Sequence, residues 1–183
     1  PVDMDLWEYT LLEDEELGKV GTYGLNDKEA LDSSGDSGRS AGYLGGYTEE
    51  GKIIGTIPAY ISMDNGNTYT EVTSLAHTFY DCDSLVIAPE IPSTVTCMWS
   101  TFQGCRNLTE GKVGSNVVNL WNCFMDCESL GTSPYLPNTV ENMTQTFYQC
   151  TSLINITNLP NNIKNMSMPF YKCIKLTAVP DIP

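Results

Sequence analysis

Histidine is almost missing: His77 is the only one in 183 residues. Multi-histidine metal centres are excluded by that count, and a Ser-His-Asp or Cys-His nucleophile could be built only around that one ring. Cations are scarce as well, with nine Lys or Arg against 23 Asp or Glu and a formal net charge of −14. A surface so poor in positive charge offers no footprint for nucleic acid and none for anionic lipid. No apolar run reaches the ~18 residues a membrane-spanning helix needs, so no membrane insertion is expected. The signatures GxGxxG, P-loop, HExxH and GxSxG are absent. The carboxylates are scattered, and no close Cys pair stands near the histidine. These gaps assign no catalytic residue, no metal and no cofactor. His77, between Leu75 and Phe79, reads as a surface or flank residue.

What is present is one unit written five times. Val72, Leu75, Phe79, Cys82 and Leu85 are followed by Val95, Met98, Phe102, Cys105 and Leu108. Val117, Leu120, Phe124, Cys127 and Leu130 come next, then Val140, Met143, Phe147, Cys150 and Leu153. The last set is Ile163, Met166, Phe170, Cys173 and Leu176. Spacing inside each set is 3, 4, 3, 3, and the Phe column advances by 23, 22, 23 and 23. Pro92, Pro137 and Pro160 each stand three residues before their Val or Ile; the third unit has Gly114 there and is one residue short. One such unit cannot bury enough apolar surface to offset the entropy of ordering it. Units must therefore stack and share a continuous interior. Phe79, Phe102, Phe124, Phe147 and Phe170, with Cys82, Cys105, Cys127, Cys150 and Cys173, are expected to form structural ladders there.

The positions i, i+3, i+7 and i+10 lie on one face of a helical turn, whereas the segment after each Leu is β-prone and closes on Pro. Each coil thus reads as a short parallel strand, a Pro corner, and a short helical or 3₁₀ turn. The Val-x-x-Met part is an alternative second strand.

The run F-Y-x-C-x-x-L…P-x-x-V/I-x-x-M-x-x-x-F resembles the BspA-like leucine-rich repeats of bacterial surface proteins, including the variant of mycoplasma-type lipoproteins. The resemblance covers about 60% of the chain, from Val72 onward. It implies an α/β repeat: a leucine-rich-repeat solenoid of 72–183 in five 22–23-residue units, behind a β-rich N-terminal cap over 1–71. It also implies a secreted, extracellular or bacterial cell-surface location and an adhesin-like role, binding a host or bacterial surface protein. A glycan ligand and a purely structural spacer are the alternatives. The ordinary L-x-L-x-x-N strand is absent, so the ligand face of that branch does not transfer.

Ahead of the repeats, Leu6–Leu11 alternates, with Trp7, Tyr9 and Leu11 on one face, and Lys19–Tyr23 is its return strand. Glu13–Glu16 forms the turn. Residues 26–46 are Gly-, Ser- and Asp-rich and read as a flexible loop; Asp32 to Asp36 lacks the twelfth-position Glu of a calcium loop. Lys52–Pro58 reads as a degenerate first coil, and Asp64-Asn65-Gly66-Asn67 as a hairpin turn. Residues 1–50 hold 13 of the 23 acids, mostly a solvated surface. No leader pattern opens the chain at Pro1, and Pro183 falls where another Val-x-x-Met is due, so both ends read as cut.

Seven cysteines would suggest disulfides, yet five share one column, where a thiol serves as a small buried apolar group. Cys97 and Cys123 lie off it, free to pair or to be half-exposed. Four Asn-x-Ser/Thr sequons, at Asn107, Asn142, Asn155 and Asn165, read as repeat chemistry. The variable surface carries the binding candidates. Trp99 and Trp121 fall at one position of adjacent coils, about 5 Å apart. Tyr80, Met125, Tyr148 and Tyr171 share the column after Phe. Aromatic side chains of this kind anchor interfaces, or they pack over the flank of the coils.

Overall fold

The computed structural model describes residues 3–26 and 42–182. Asp32 to Asp36 and all but the ends of the 26–46 loop lie outside the described residues.

Hydrogen bonds between units set the repeat geometry. The N–H groups of Leu75, His77, Phe79 and Asp81 donate to the carbonyls of Cys97, Trp99, Thr101 and Gln103, at 2.8–3.0 Å. Met98, Ser100, Phe102 and Gly104 donate in the same way to Asn119, Trp121, Cys123 and Met125, at 2.8–2.9 Å. The two following units repeat the pattern. The interleaved N–H groups close local turns instead: Thr78 donates to Leu75, Tyr80 to His77 and Cys82 to Phe79, at 3.1–3.2 Å.

These arcs are not helical, contrary to the sequence expectation. The only helical segments among the described residues are the 3₁₀ turns Met4–Leu6 and Glu15–Leu17, both before the repeats. Each arc is a run of β-turns. His77 (φ 60°) and Asp81 (φ 54°) hold third turn positions in left-handed conformation, as do Asn122 (φ 55°) and Asp126 (φ 60°) in the third unit,. An α-helix would consume every N–H internally. The turn run releases alternate N–H groups to the next unit while presenting apolar side chains inward at nearly helical spacing.

Inside, the phenyl rings form one stack. Consecutive centroids from Phe79 to Phe170 are 5.5, 5.4, 5.4 and 5.9 Å apart, with interplanar angles of 20° or less. The Cys column lies beside it, and four of its five thiols donate to the Phe carbonyl of the preceding unit, while Cys82 in the first unit donates to Tyr80. Cys105, Cys127, Cys150 and Cys173 reach Phe79, Phe102, Phe124 and Phe147 at 3.0–3.1 Å. A thiol suits this place because it fills apolar volume and still offers a weak donor to a buried carbonyl. Thr101 and Thr146 hydroxyls do the same for Leu75 and Leu120, at 2.7 and 3.0 Å. All seven cysteines are free. Cys97 and Cys123 are neither paired nor half-exposed, as their off-column position had suggested, but fully buried. Cys123 takes the position that Thr101 and Thr146 hold in their units, and the Cys97 thiol donates to the Glu16 carbonyl at 3.6 Å.

Strand pairing in the repeats is reduced to isolated parallel bridges. One row runs Ser74, Cys97, Asn119, Asn142, Asn165, in the Val-x-x-Met part; another joins Ile87 to Glu110 and Thr132 to Asn155 after the Leu positions. The longer strands precede them. β1 (Thr10–Leu11) pairs antiparallel with β2 (Tyr23–Gly24), β2 parallel with β4 (Thr70–Ser74), and β4 antiparallel with β3 (Tyr60–Ile61). The Leu6–Leu11 strand is thus cut to two residues. Trp7 turns into the core against Tyr43 and Phe79, at 5.0 and 6.1 Å between centroids, while Tyr9 and Leu11 are exposed and Leu12 is buried. Between β3 and β4, Asn65 (φ 56°) and Gly66 (φ 87°) adopt the left-handed turn expected of that dipeptide. Lys52–Pro58 contributes only the bridge from Ile53 to Tyr47, yet Gly51 accepts from Val86 and Ile87 N–H as Val86 accepts from Thr109 and Glu110.

The two ends of the repeats differ. Leu25 and Tyr43 donate to the Ser74 and Thr78 carbonyls, at 3.0 and 2.9 Å, and Tyr43 packs on Phe79 at 5.5 Å. In the last unit, the N–H groups of Met166, Met168, Phe170 and Lys172 meet no backbone acceptor among the described residues.

Candidate binding face

Trp99 and Trp121 are positioned by the ladder itself. Ser100 N–H donates to the Trp121 carbonyl, fixing adjacent units in register, and the Asn119 side chain accepts from Trp121 N–H at 2.9 Å. The indoles lie 5.1 Å apart with 9° between planes. Trp121 is 37% exposed and Trp99 half-buried. His77 sits on the other side of Trp99, 5.1 Å away, and Tyr80 is 5.6 Å from His77. Ring contacts therefore run Tyr80, His77, Trp99, Trp121 along three units, parallel between the two indoles and edge-on, at 65°, between His77 and Trp99.

His77 is not the surface residue expected from its place between Leu75 and Phe79. It is buried, and its Nδ1 has no hydrogen-bond partner. Burial disfavours the imidazolium and lowers its pKa to about 4,. The His77 backbone is left-handed, at φ 60°, and its ring lies against those of Trp99 and Tyr80. Desolvation alone shifts it, with no carboxylate partner to make it a general base.

Tyr148 and Tyr171 form a second pair, 5.0 Å apart at 30°, with the Lys172 ammonium 5.6 Å from the Tyr171 ring centre. Tyr171 is exposed; Tyr148, Tyr80 and Met125 are half-buried. No ring contact among the described residues joins this pair to the Trp stack. The six candidates thus divide into two groups, with Met125 in neither stack.

Sequence reasoning missed the asparagine row. Asn119 and Asn142 each accept the N–H two residues on, from Trp121 and Thr144, at 2.9 Å, a local Asx turn in the third and fourth units. Asn142 and Asn165 had been visible only as sequons. Beside the row lies a groove of about 510 Å³. One wall is the bridge row Cys97, Asn119, Asn142, Asn165; the other is the 3₁₀ turn with Glu15, Glu16, Gly18 and Lys19; Trp121 and Glu141 also line it. The Cys97 thiol and the Lys19 N–H, which donates to Thr73 Oγ1 at 3.0 Å, seat that turn on the repeats. Gly18 (φ 146°) allows this close approach, because a Cβ there would lie 2.7 Å from Thr73 Oγ1,.

No group of three or more His, Cys, Asp or Glu converges as a metal site among the described residues. No helix there is long and apolar enough to cross a membrane.

In-register units, a phenylalanine spine and a variable outer surface define a leucine-rich-repeat protein. The chain belongs to the BspA-type leucine-rich repeat family: the model of that repeat region matches residues 70–181, in six copies. Its fold is similar to that of a leucine-rich repeat protein of T. pallidum, with TM-score 0.67 and 22% identity over 96% of this chain and 68% of that one. A leucine-rich repeat protein of Bacteroides ovatus is similar with TM-score 0.58 and 17% identity, over 94% of this chain and 45% of its own. None of the curated proteins matches the chain in sequence.

Proposed function

We propose that the chain is a non-catalytic binding module, secreted or displayed on a bacterial surface, that recognises a protein partner through the outer face of its repeats. In this reading residues 72–183 form a solenoid, and residues 1–71 cap its first coil through Leu25, Tyr43 and Gly51. Trp99 and Trp121 anchor the partner, with Tyr80, Met125, Tyr148 and Tyr171 as further contacts. The observation that carries the reading is the Trp99–Trp121 stack, with Trp121 exposed and Trp99 half-buried. The interior is already filled by phenylalanine, so two indoles outside it are not needed to complete the core, and exposed Trp is a common interface anchor. Family membership supports the surface location. A sugar platform is less well supported, because Trp99 is covered by His77 on one side and Trp121 on the other.

The test is a Trp99→Ala/Trp121→Ala double variant, compared with the parent in pull-downs from extracellular matrix, mucin and serum. Loss of a protein partner with an unchanged melting curve supports the proposal. A collapse in melting temperature, or unchanged capture, counts against it; hits on a glycan array lost in the same variant would transfer the role to sugar.

A further inference from the structure

We infer that the second face of Trp121, at the mouth of the groove, receives an arginine side chain from an extended basic segment of the partner. This rests on the reading of the repeat face as a protein-binding surface and names the chemistry that it selects.

The ring stack ends at Trp121 for a reason legible in the column. The residues at the same position are Ala76, Trp99, Trp121, Thr144 and Ser167. One face of the Trp121 indole is covered by Trp99 at 5.1 Å. One unit further on, where a third ring would lie, the chain places the small Thr144, whose carbonyl accepts from Asn122 N–H at 3.0 Å. A flat group from another molecule can therefore occupy the next step of the stack. Trp121 also lines the 510 Å³ groove, so such a group can enter along it.

Charge selects the group. The lining holds three carboxylates, Glu15, Glu16 and Glu141, against the single ammonium of Lys19. Lys19 is already paired with Glu71 at 3.5 Å, and Glu141 with Lys164 at 2.9 Å. Glu15 and Glu16 have no ion-pair partner among the described residues. They are exposed and belong to a 50-residue stretch, 1–50, that holds ten more acids than bases. A guanidinium meets both requirements at once, since it stacks flat on an indole and still offers in-plane donors to a carboxylate. An ammonium satisfies only the charge, and a neutral sugar only the stacking. The Asn119 and Asn142 side chains use their oxygens internally, at 2.9 Å, and keep their NH₂ groups for the carbonyls of an extended chain.

The probe is a short Gly-Arg repeat peptide, titrated calorimetrically into the chain beside Gly-Lys and Gly-Ser peptides of equal length. The arginine peptide is expected to bind about tenfold tighter than the lysine peptide, and the serine peptide not at all. Trp121→Ala should remove about tenfold of that affinity, and Glu15→Gln/Glu16→Gln several-fold. The exposed Glu pair cannot unfold the chain, so it keeps the test decisive if Trp121→Ala melts early. Binding should weaken as salt rises. Equal binding of the arginine and lysine peptides, or affinity unchanged in the Glu pair variant, overturns the inference. If arginine fails while Trp99→Ala/Trp121→Ala still loses a protein partner, this inference falls and the binding-module reading stands.

Discussion

At the first unit the carbonyls of Ser74 and Thr78 are met by Leu25 and Tyr43, whereas at the last unit four N–H groups, from Met166 to Lys172, meet no backbone acceptor among the described residues. The side chains follow the same division. Val140, Met143 and Phe147 are fully buried, while their counterparts Ile163, Met166 and Phe170 are only half-buried. Exposed apolar groups gather here too, among them Met168, Ile174 and Ile182. The comparison shows that the ladder of the turn arcs has a direction. There each unit gives N–H groups forward and receives them on its carbonyls, while the bridge rows give theirs back, as Thr96 and Cys97 do to Thr73, so a unit is satisfied only by different neighbours on its two sides. Residues before the repeats supply donors to the first unit, and its Phe79 is consequently as buried as Phe102 and Phe124.

The sharpest way to break this comparison is to remove a ring from each region. Phe124→Ala should cost about 3–5 kcal/mol, because it opens a cavity between Phe102 and Phe147 in a stack closed on both sides. Phe170→Ala, with one face already wet, should cost about half as much or less. Denaturant unfolding of both variants measures the difference, and equal losses would mean that the last unit is as enclosed as the third.

A smaller effect sharpens the other end. His77 is buried with an unpartnered Nδ1, and desolvation lowers its pKa from 6.5 to about 4. The unfolded chain therefore binds the proton first. Stability is full above pH 6.5, falls as the pH drops, and levels off below about 4. The loss is about 3 kcal/mol at most. His77→Asn suits the left-handed backbone and should flatten that segment of the stability–pH curve. A curve unchanged by the substitution would place the imidazole in water.

The interior was legible because a stacked unit demands the same apolar residue at the same place each time, and the Phe, Leu and Cys columns record it. The arcs were misread for a physical reason. Val95, Met98, Phe102 and Cys105 point inward at spacings that a helix also gives, so side-chain period alone cannot separate a helix from consecutive turns. The discriminating signal stood in the columns flanking Phe. Asn122, Asp126, Asp81 and Gly104 are residue types that tolerate positive φ, and they recur two positions before or after the ring,. The asparagine row at 119, 142 and 165 was equally visible, but the sequon pattern picks out only Asn142 and Asn165 of it. His77 could not be placed from its neighbours, because its burial depends on Trp99, a whole unit later. The Trp99–Trp121 spacing was readable, since both occupy one position of adjacent coils; the groove beside them was not, because its other wall comes from Glu15–Leu17, far away in sequence.

Amide hydrogen exchange tests the directional ladder most directly. Ser100, Phe102 and Gly104 give their N–H groups to the next unit, whereas Met168, Phe170 and Lys172 occupy the same positions with no backbone acceptor among the described residues. The first three should exchange only on opening of the repeats, and the last three close to the rate of an unstructured chain. Equal protection in the two sets would contradict a ladder in which the arc N–H groups of each unit depend on the unit that follows.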